Sequence, residues 1–143
     1  MHKDDITLKG RLDIYLNNQF VLSASNLVVT TGKEFVASRM VGNTANLMSH
    51  MAIGTGTTVP VAANTTAESE VARVALNSTS LLNTAVTYAA HYPAGNPSSD
   101  SAITEAALLD SATGGVMLCR TVFPVVNKLA ADSLTIEWTV QPN

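Results

Sequence analysis

The stretch from Ile103 to Val140 constrains the fold more than any other part of this chain. Apolar and polar residues alternate along it, the pattern breaks at Gly114-Gly115, breaks again around Pro124 to Ser133, and then resumes. Alternation of period two is the mark of a half-buried antiparallel sheet, because successive strand side chains point to opposite faces. Leu134, Ile136, Trp138 and Val140 are expected to face the core, with Thr135, Glu137 and Thr139 facing out. Two adjacent glycines supply the positive φ angles of a tight reversal, so Asp110 to Gly115 is expected to be a hairpin turn.

The same pattern recurs upstream. Ile6, Leu8, Gly10, Leu12, Ile14 and Leu16 alternate with Thr7, Lys9, Arg11, Asp13 and Tyr15, which describes a long strand with one wet face. Gly10 marks a bulge or a close backbone approach on it. Asn17-Asn18 is a turn, and Gln19 to Leu22 returns as a short strand. Leu27 to Val29, Ser49 to Ile53, Val71 to Leu76, Ala85 to Tyr92, Ile103 to Leu109, Val116 to Phe123 and Leu134 to Val140 also read as strands. Asn77 to Ser80 reads as a joining segment, and 54–66 and 93–101 as long loops.

One helix interrupts the strands. Thr31 and Glu34 have capping-box spacing, Phe35, Val36, Arg39 and Met40 follow at helical spacing, and Gly42-Asn43 stops the run. The expected helix covers 31–41, with Phe35 and Met40 as core plugs. Together these elements predict an all-β fold, an antiparallel β-sandwich or jelly roll of about seven or eight strands with one short inserted helix. Residues 1–143 form one domain, with 1–9 as a candidate N-terminal arm.

Bulk properties narrow the function. Charged residues make up 13% of the chain, about half the roughly 25% of an ordinary soluble domain. So little charge is expected where surface is hidden against partners, and a homo-oligomer fits. The net charge is −3 and the basic residues are scattered singly, so the basic stripe that nucleic acid requires is missing from the sequence. No apolar run approaches the roughly 20 residues that span a bilayer. The opening Met1-His-Lys-Asp-Asp5 lacks the form of a signal peptide, which makes the cytosol the expected site of synthesis.

The candidate chemical motifs are weak. Met51-Ala-Ile-Gly-Thr-Gly56 lacks the third glycine and the acidic residue of a dinucleotide site, and reads as a flexible or bulged connection. His2, His50 and His91 are far apart, with no ligand at metal-binding spacing. Neither a catalytic residue, a cofactor nor a metal is expected. Asn64-Thr-Thr66 and Asn77-Ser-Thr79 match the glycosylation pattern by chance in a chain rich in Ser and Thr. Cys119 sits in a strand run and reads as a small buried apolar residue.

Contact residues are easier to nominate. Glu68, Glu70 and Arg73 lie close together and form either a local ion pair or a clamp between subunits. Glu105 and Arg120 are charges inside strand runs. If their faces are buried each needs a partner, which nominates them for an interface; otherwise they sit on solvated strand faces. With the N-terminal strand and the two long loops included, the candidate interface comprises Ile6, Leu8, Thr55, Thr57, Val59, Glu70, Arg73, Tyr92, Asn96, Glu105 and Arg120.

Several segments carry a resemblance. They are Asn26-Leu-Val-Val-Thr-Thr-Gly32, Met51 to Pro60, Glu70-Val-Ala-Arg73, Ile103 to Leu118, Arg120-Thr-Val-Phe-Pro124 and Asp132 to Thr139. They resemble small virion structural proteins of tailed bacteriophages, and the resemblance extends over most of 26–140. It implies a non-enzymatic part, made in the host bacterial cytoplasm and assembled into the virion. The leading expectation is a capsid decoration, or cement, protein that binds the major capsid protein and bridges capsomers. The alternative is a tail, baseplate or fibre-attachment adaptor that contacts other virion proteins. A carbohydrate-binding module would want exposed aromatics, for which Tyr88, His91 and Tyr92 are the candidates.

Overall fold

The computed structural model describes residues 7–42 and 46–142. They form two five-stranded antiparallel sheets packed face to face, with one helix. The strands are β1 (Leu8–Leu16), β2 (Gln19–Ser25), β3 (Leu27–Val28), β4 (His50–Gly54), β5 (Glu70–Ala75), β6 (Ser78–Leu82), β7 (Ala85–Tyr92), β8 (Ser101–Leu109), β9 (Met117–Lys128) and β10 (Leu134–Pro142). The helix α1 (Thr30–Met40) follows β3. Sheet A has the order β2-β1-β10-β7-β6 and sheet B the order β3-β9-β8-β4-β5. The chain is thus an all-β sandwich, with ten strands among the described residues where the sequence suggests seven or eight.

The core lies between the sheets and follows the predicted phases. Leu134, Ile136, Trp138 and Val140 on β10 are buried, as are Leu12 and Ile14 on β1. Across the interior they meet Met51 and Ile53 of β4 and Leu108 of β8 in one cluster. Register explains the match: Leu12 pairs with Trp138 and Ile14 with Ile136, so the apolar faces of β1 and β10 coincide. Asn17 and Asn18 both take positive φ in the β1–β2 turn, as a two-residue hairpin requires. At Gly10 the close approach is real: a Cβ there would overlap the Asn26 side chain.

Four local expectations change. Asn77 to Ser80 is more than a joining segment, because Ser78–Leu82 pairs with β7 as an edge strand. β9 does not stop at Phe123 but runs through Pro124 to Lys128. Its pairing with β8 shifts register between Ile103 and Glu105, opposite Pro124, and β3 covers β9 only at Cys119 and Arg120. A proline is tolerated at such a bulge on an otherwise free edge. The helix begins after Val29, with no side-chain cap; Thr31 instead donates its hydroxyl to the Met117 carbonyl at 2.7 Å. Finally, Phe35 and Val36 pack on the core margin, but Met40, the last residue of the helix, is exposed.

The outer face of sheet B is covered by the chain itself. The residues between β4 and β5 and the start of α1 lie over it, enclosing Val29, Ala52, Ala67, Ala107, Leu109 and Met117 in a second apolar cluster. Gly32 lets the helix approach, since a Cβ would overlap the Leu118 carbonyl. The outer face of sheet A carries no such layer of described residues.

Candidate interaction surface

The shift in β8 sets up the central polar arrangement. Ile103 faces the sandwich interior, and so do Ala106 and Leu108. The alternation therefore slips by one, which turns Glu105 to the outer face beneath the 55–69 loop. Glu105 is 0% exposed. Its carboxylate accepts hydrogen bonds from three loop amides, Gly56 at 2.7 Å, Glu68 at 2.8 Å and Ser69 at 2.7 Å. Arg120, on the neighbouring strand β9 and 2% exposed, adds a fourth donor from Nε at 3.1 Å.

Arg120 also reaches the loop directly. One terminal nitrogen donates to the Thr58 carbonyl at 3.0 Å and to the Asn64 side-chain oxygen at 3.2 Å. The other lies 3.9 Å from the Glu68 carboxylate, within ion-pair reach. Glu68 in turn accepts the Thr57 and Thr58 amides at 2.9 and 3.0 Å and the Thr58 hydroxyl at 2.5 Å. Those bonds, the hydroxyl's first among them, hold the Glu68 carboxyl below its ordinary range. Thr104 donates its hydroxyl to the Gly56 carbonyl at 2.7 Å.

This clasp explains the Gly-Thr-Gly run. A Cβ at Gly54 would overlap the Ser69 carbonyl, and one at Gly56 would overlap the Glu105 carboxylate. The glycines are there so that the chain can pass over a buried carboxylate, and the segment is an anchored loop, not a loose connection. Buried charges are retained in proteins when they are paired and hydrogen-bonded, and these two are.

The candidate interface residues consequently divide. Glu105 and Arg120 pair with each other inside the subunit, so burial removes them from any surface. Tyr92 is also withdrawn: it is fully buried and donates its hydroxyl to the Met51 carbonyl at 2.5 Å across the sandwich. Burial pushes the Tyr92 phenol well up, and that of Tyr88 to about 12. The Tyr92 ring is not available to stack on a sugar, and Tyr88 is buried to about nine-tenths of its surface. His91 remains outside, sharing a 3.0 Å hydrogen bond with the Thr135 hydroxyl.

Glu70 and Arg73 form a local pair, with contacts of 2.7 and 2.9 Å. Arg73 also donates to the Ser111 and Gly114 carbonyls, both at 2.9 Å, and so ties the β8–β9 turn to β5. Gly114 and Gly115 take the positive φ that this turn was expected to need. Asn96 is half-buried, in a loop fastened to the β9–β10 turn by Gly95 N–H to Ala130 O at 2.7 Å. Leu8 is half-buried and paired with Pro142, so 8–9 of the proposed arm belong to sheet A. Thr7 is exposed, and 1–6 of that arm, Ile6 among them, lie outside the described residues.

Thr55, Thr57 and Val59 are exposed as expected, Val59 at 73%. The sequence reading missed a second exposed area at the end of the sandwich. Leu8, Phe35, Val36, Val86, Tyr88 and Val140 line an apolar groove of about 270 Å³ there. Beside it runs β6, all five of whose residues are exposed. The run Leu81-Leu82 was the available signal, but without alternation it resembles neither strand face.

The outer face of sheet A is mostly polar, with an aromatic pair, Tyr15 and Phe20, packed edge to face beside the β1–β2 turn. Arg11 contacts Asp13 at 3.2 Å and donates to the Ser23 hydroxyl at 3.1 Å. Thr87 and Thr139 share a hydrogen bond of 3.0 Å. Cys119 is buried within the core, and burial raises its thiol well above the usual range. No helix of the described residues is long and apolar enough to cross a membrane. No group of three or more His, Cys, Asp or Glu side chains among them is arranged to hold a metal ion. No protein-family model matches the chain, no curated protein is detectably similar to it, and no solved structure matches it.

Proposed function

We propose that this chain is a non-enzymatic structural protein of a tailed-phage virion. It is made in the bacterial cytoplasm and mounted on the capsid as a decoration protein that bridges capsomers of the major capsid protein. The observation that carries the reading is the Glu105 clasp, which holds a long surface loop in one shape and turns Thr55, Thr57 and Val59 outward. A loop fixed before contact loses little conformational freedom on docking, so more of its contact energy appears as affinity. The buried ion pair shapes a surface here, and the sparse charge of the chain suits contacts between subunits.

The mechanism is mass action. A protein that binds the assembled shell and not its dissociated parts stabilises the shell by its binding free energy, once per site. Binding of the purified protein to expanded capsids lacking it, read by co-sedimentation and electron microscopy, tests this. Saturable density over the whole lattice is the expected result. Density confined to the tail or its vertex would replace the reading with a tail or baseplate adaptor, and absence of binding would remove both.

A further inference from the structure

β6 pairs with β7 on one side and with no described strand on the other, so its outward N–H and C=O groups form a template for another strand. The other outer strands are guarded. β5 carries the Glu70–Arg73 ion pair, β2 shifts register against β1 between Ile14 and Tyr15, β3 is two residues long, and the stretch of β9 that β3 leaves free holds Pro124 and Lys128. β6 reads Ser78-Thr-Ser-Leu-Leu82, with no charge, no proline and no register shift against β7. Leu81 is 71% and Leu82 75% exposed, and as neighbours on a strand they point to opposite faces of the sheet. A leucine on each face of an edge strand leaves apolar surface in solvent that pairing with a further strand would cover in part.

We infer that β6 is a dimer edge, at which two copies pair antiparallel about a two-fold axis at Leu81 and join their A sheets into one of ten strands. Charge favours a second copy as the occupant. The chain carries −3 overall, yet Ser78 to Thr84 is uncharged, so two copies meet there without like charges opposed. Symmetry favours it too, since an antiparallel strand pair is self-complementary about a two-fold. This register sets Leu81 opposite Leu81 of the second copy and Leu82 opposite Ser80 of the second copy, so each leucine gains a neighbour.

The edge is also continuous with apolar surface. Val86, the residue paired with Leu81 across the β6–β7 hairpin, lines the groove. In this register only Ser80 to Leu82 of each β6 overlap, which covers far less than the roughly 800 Å² per partner of a stable interface. The groove rim supplies further apolar area, and the dimer is expected in the micromolar range. The inference goes beyond the shell-binding reading and does not depend on it.

Sedimentation velocity of the full chain, from low to high micromolar concentration, tests it without shells present. A monomer–dimer equilibrium is expected, with Leu81→Lys shifting it to monomer and leaving the unfolding midpoint unchanged at concentrations where both proteins are monomeric. A second readout fixes the register. Opposed Cβ atoms in such a pair lie roughly 4.5–5.5 Å apart, so mild oxidation is expected to cross-link Leu81→Cys between copies faster than Leu82→Cys. Cys119 is buried and does not compete. A monomer at every concentration, a dimer indifferent to Leu81→Lys, or faster cross-linking at position 82 would each overturn the inference. A monomer that binds shells through Leu81 would also overturn it, assigning the edge to a capsid strand while leaving the decoration reading intact. A dimer that ignores shells would do the reverse.

Discussion

The two sheets of this sandwich treat their second faces in opposite ways. Sheet B is roofed by its own chain, with an apolar cluster under the 55–69 loop and a buried carboxylate and guanidinium holding that loop down. Sheet A is bare on its outer side, where polar side chains such as Arg11, Asp13 and Thr139 face solvent, and its β6 edge exposes two leucines. A chain poor in charge therefore buries Glu105, Arg120 and Lys128 while it leaves Leu81 and Leu82, among other leucines, outside. The contrast teaches that burial here follows geometry and not hydropathy. Glu105 is inside because three amides and a guanidinium converge on it, and Leu81 is outside because nothing in the subunit reaches it.

Removing the clasp is the severest test of the contrast. Glu105→Ala leaves Arg120 buried without its anion and three amides without their acceptor. It should cost about 3–5 kcal/mol in urea unfolding. A loss below about 1 kcal/mol, within the range of ordinary exposed ion pairs, would mean that the roof does not depend on it. Trp138→Ala, between the sheets, should cost a similar roughly 3–5 kcal/mol and calibrates the core against the clasp.

Smaller effects sharpen the comparison. Tyr92→Phe removes the hydroxyl that bridges to Met51 and should cost about 1–3 kcal/mol by thermal or chemical unfolding. On the bare side, Leu81→Lys should change monomer stability by less than about 0.5 kcal/mol, because the side chain makes its surface in solvent. A loss several times larger would place Leu81 in the subunit's own packing.

The smallest effect is on acid stability. The Glu68 carboxyl is lowered by its Thr58 hydroxyl and amide partners, and that of Asp132 by the Asn17 side chain and the Leu129 amide. Groups whose folded pKa is depressed add stability above their unfolded values, 4.5 for Glu68 and 3.8 for Asp132, and lose it as pH falls through the folded ones. Stability should therefore decline on acidification below about pH 4.5. Thr58→Val, which deletes the hydroxyl donor, should flatten that decline when unfolding midpoints are compared across the acid range.

Much of the scaffold was legible in the residues. Alternation located β1, β7 and β10 and the inward phases of Leu134, Ile136, Trp138 and Val140, because half-buried strands must alternate. Turn chemistry located the reversals at Asn17-Asn18 and Gly114-Gly115. The site was less legible. Glu105 and Arg120 announced only that each needed a partner; that they are each other's follows from strands that neighbour in sheet B and a register shift no local pattern encodes. β6 was hidden for a related reason. An edge strand with both faces exposed has no burial pattern to display, and its identity comes from the pairing with β7. Thr31 was misread as a cap because a hydroxyl at a helix start has two uses, and β9 offered a carbonyl within reach.

One feature of sheet A bears on how the chain reaches its native state. β10 lies between β1 and β7, pairing with both. β1 begins at Leu8, whereas β10 begins at Leu134, so their ladder must close a loop of more than a hundred residues. Sheet B has shorter steps: β8 and β9 follow each other directly, and β4 joins β8. Loop-closure entropy and high contact order make distant pairings slow. Sheet B should therefore assemble early during synthesis, while the apolar faces of β1 and β7 wait, uncovered, for the strand that unites them. During that interval the nascent chain is at its most aggregation-prone, and the rate at which β10 is delivered sets how long the interval lasts.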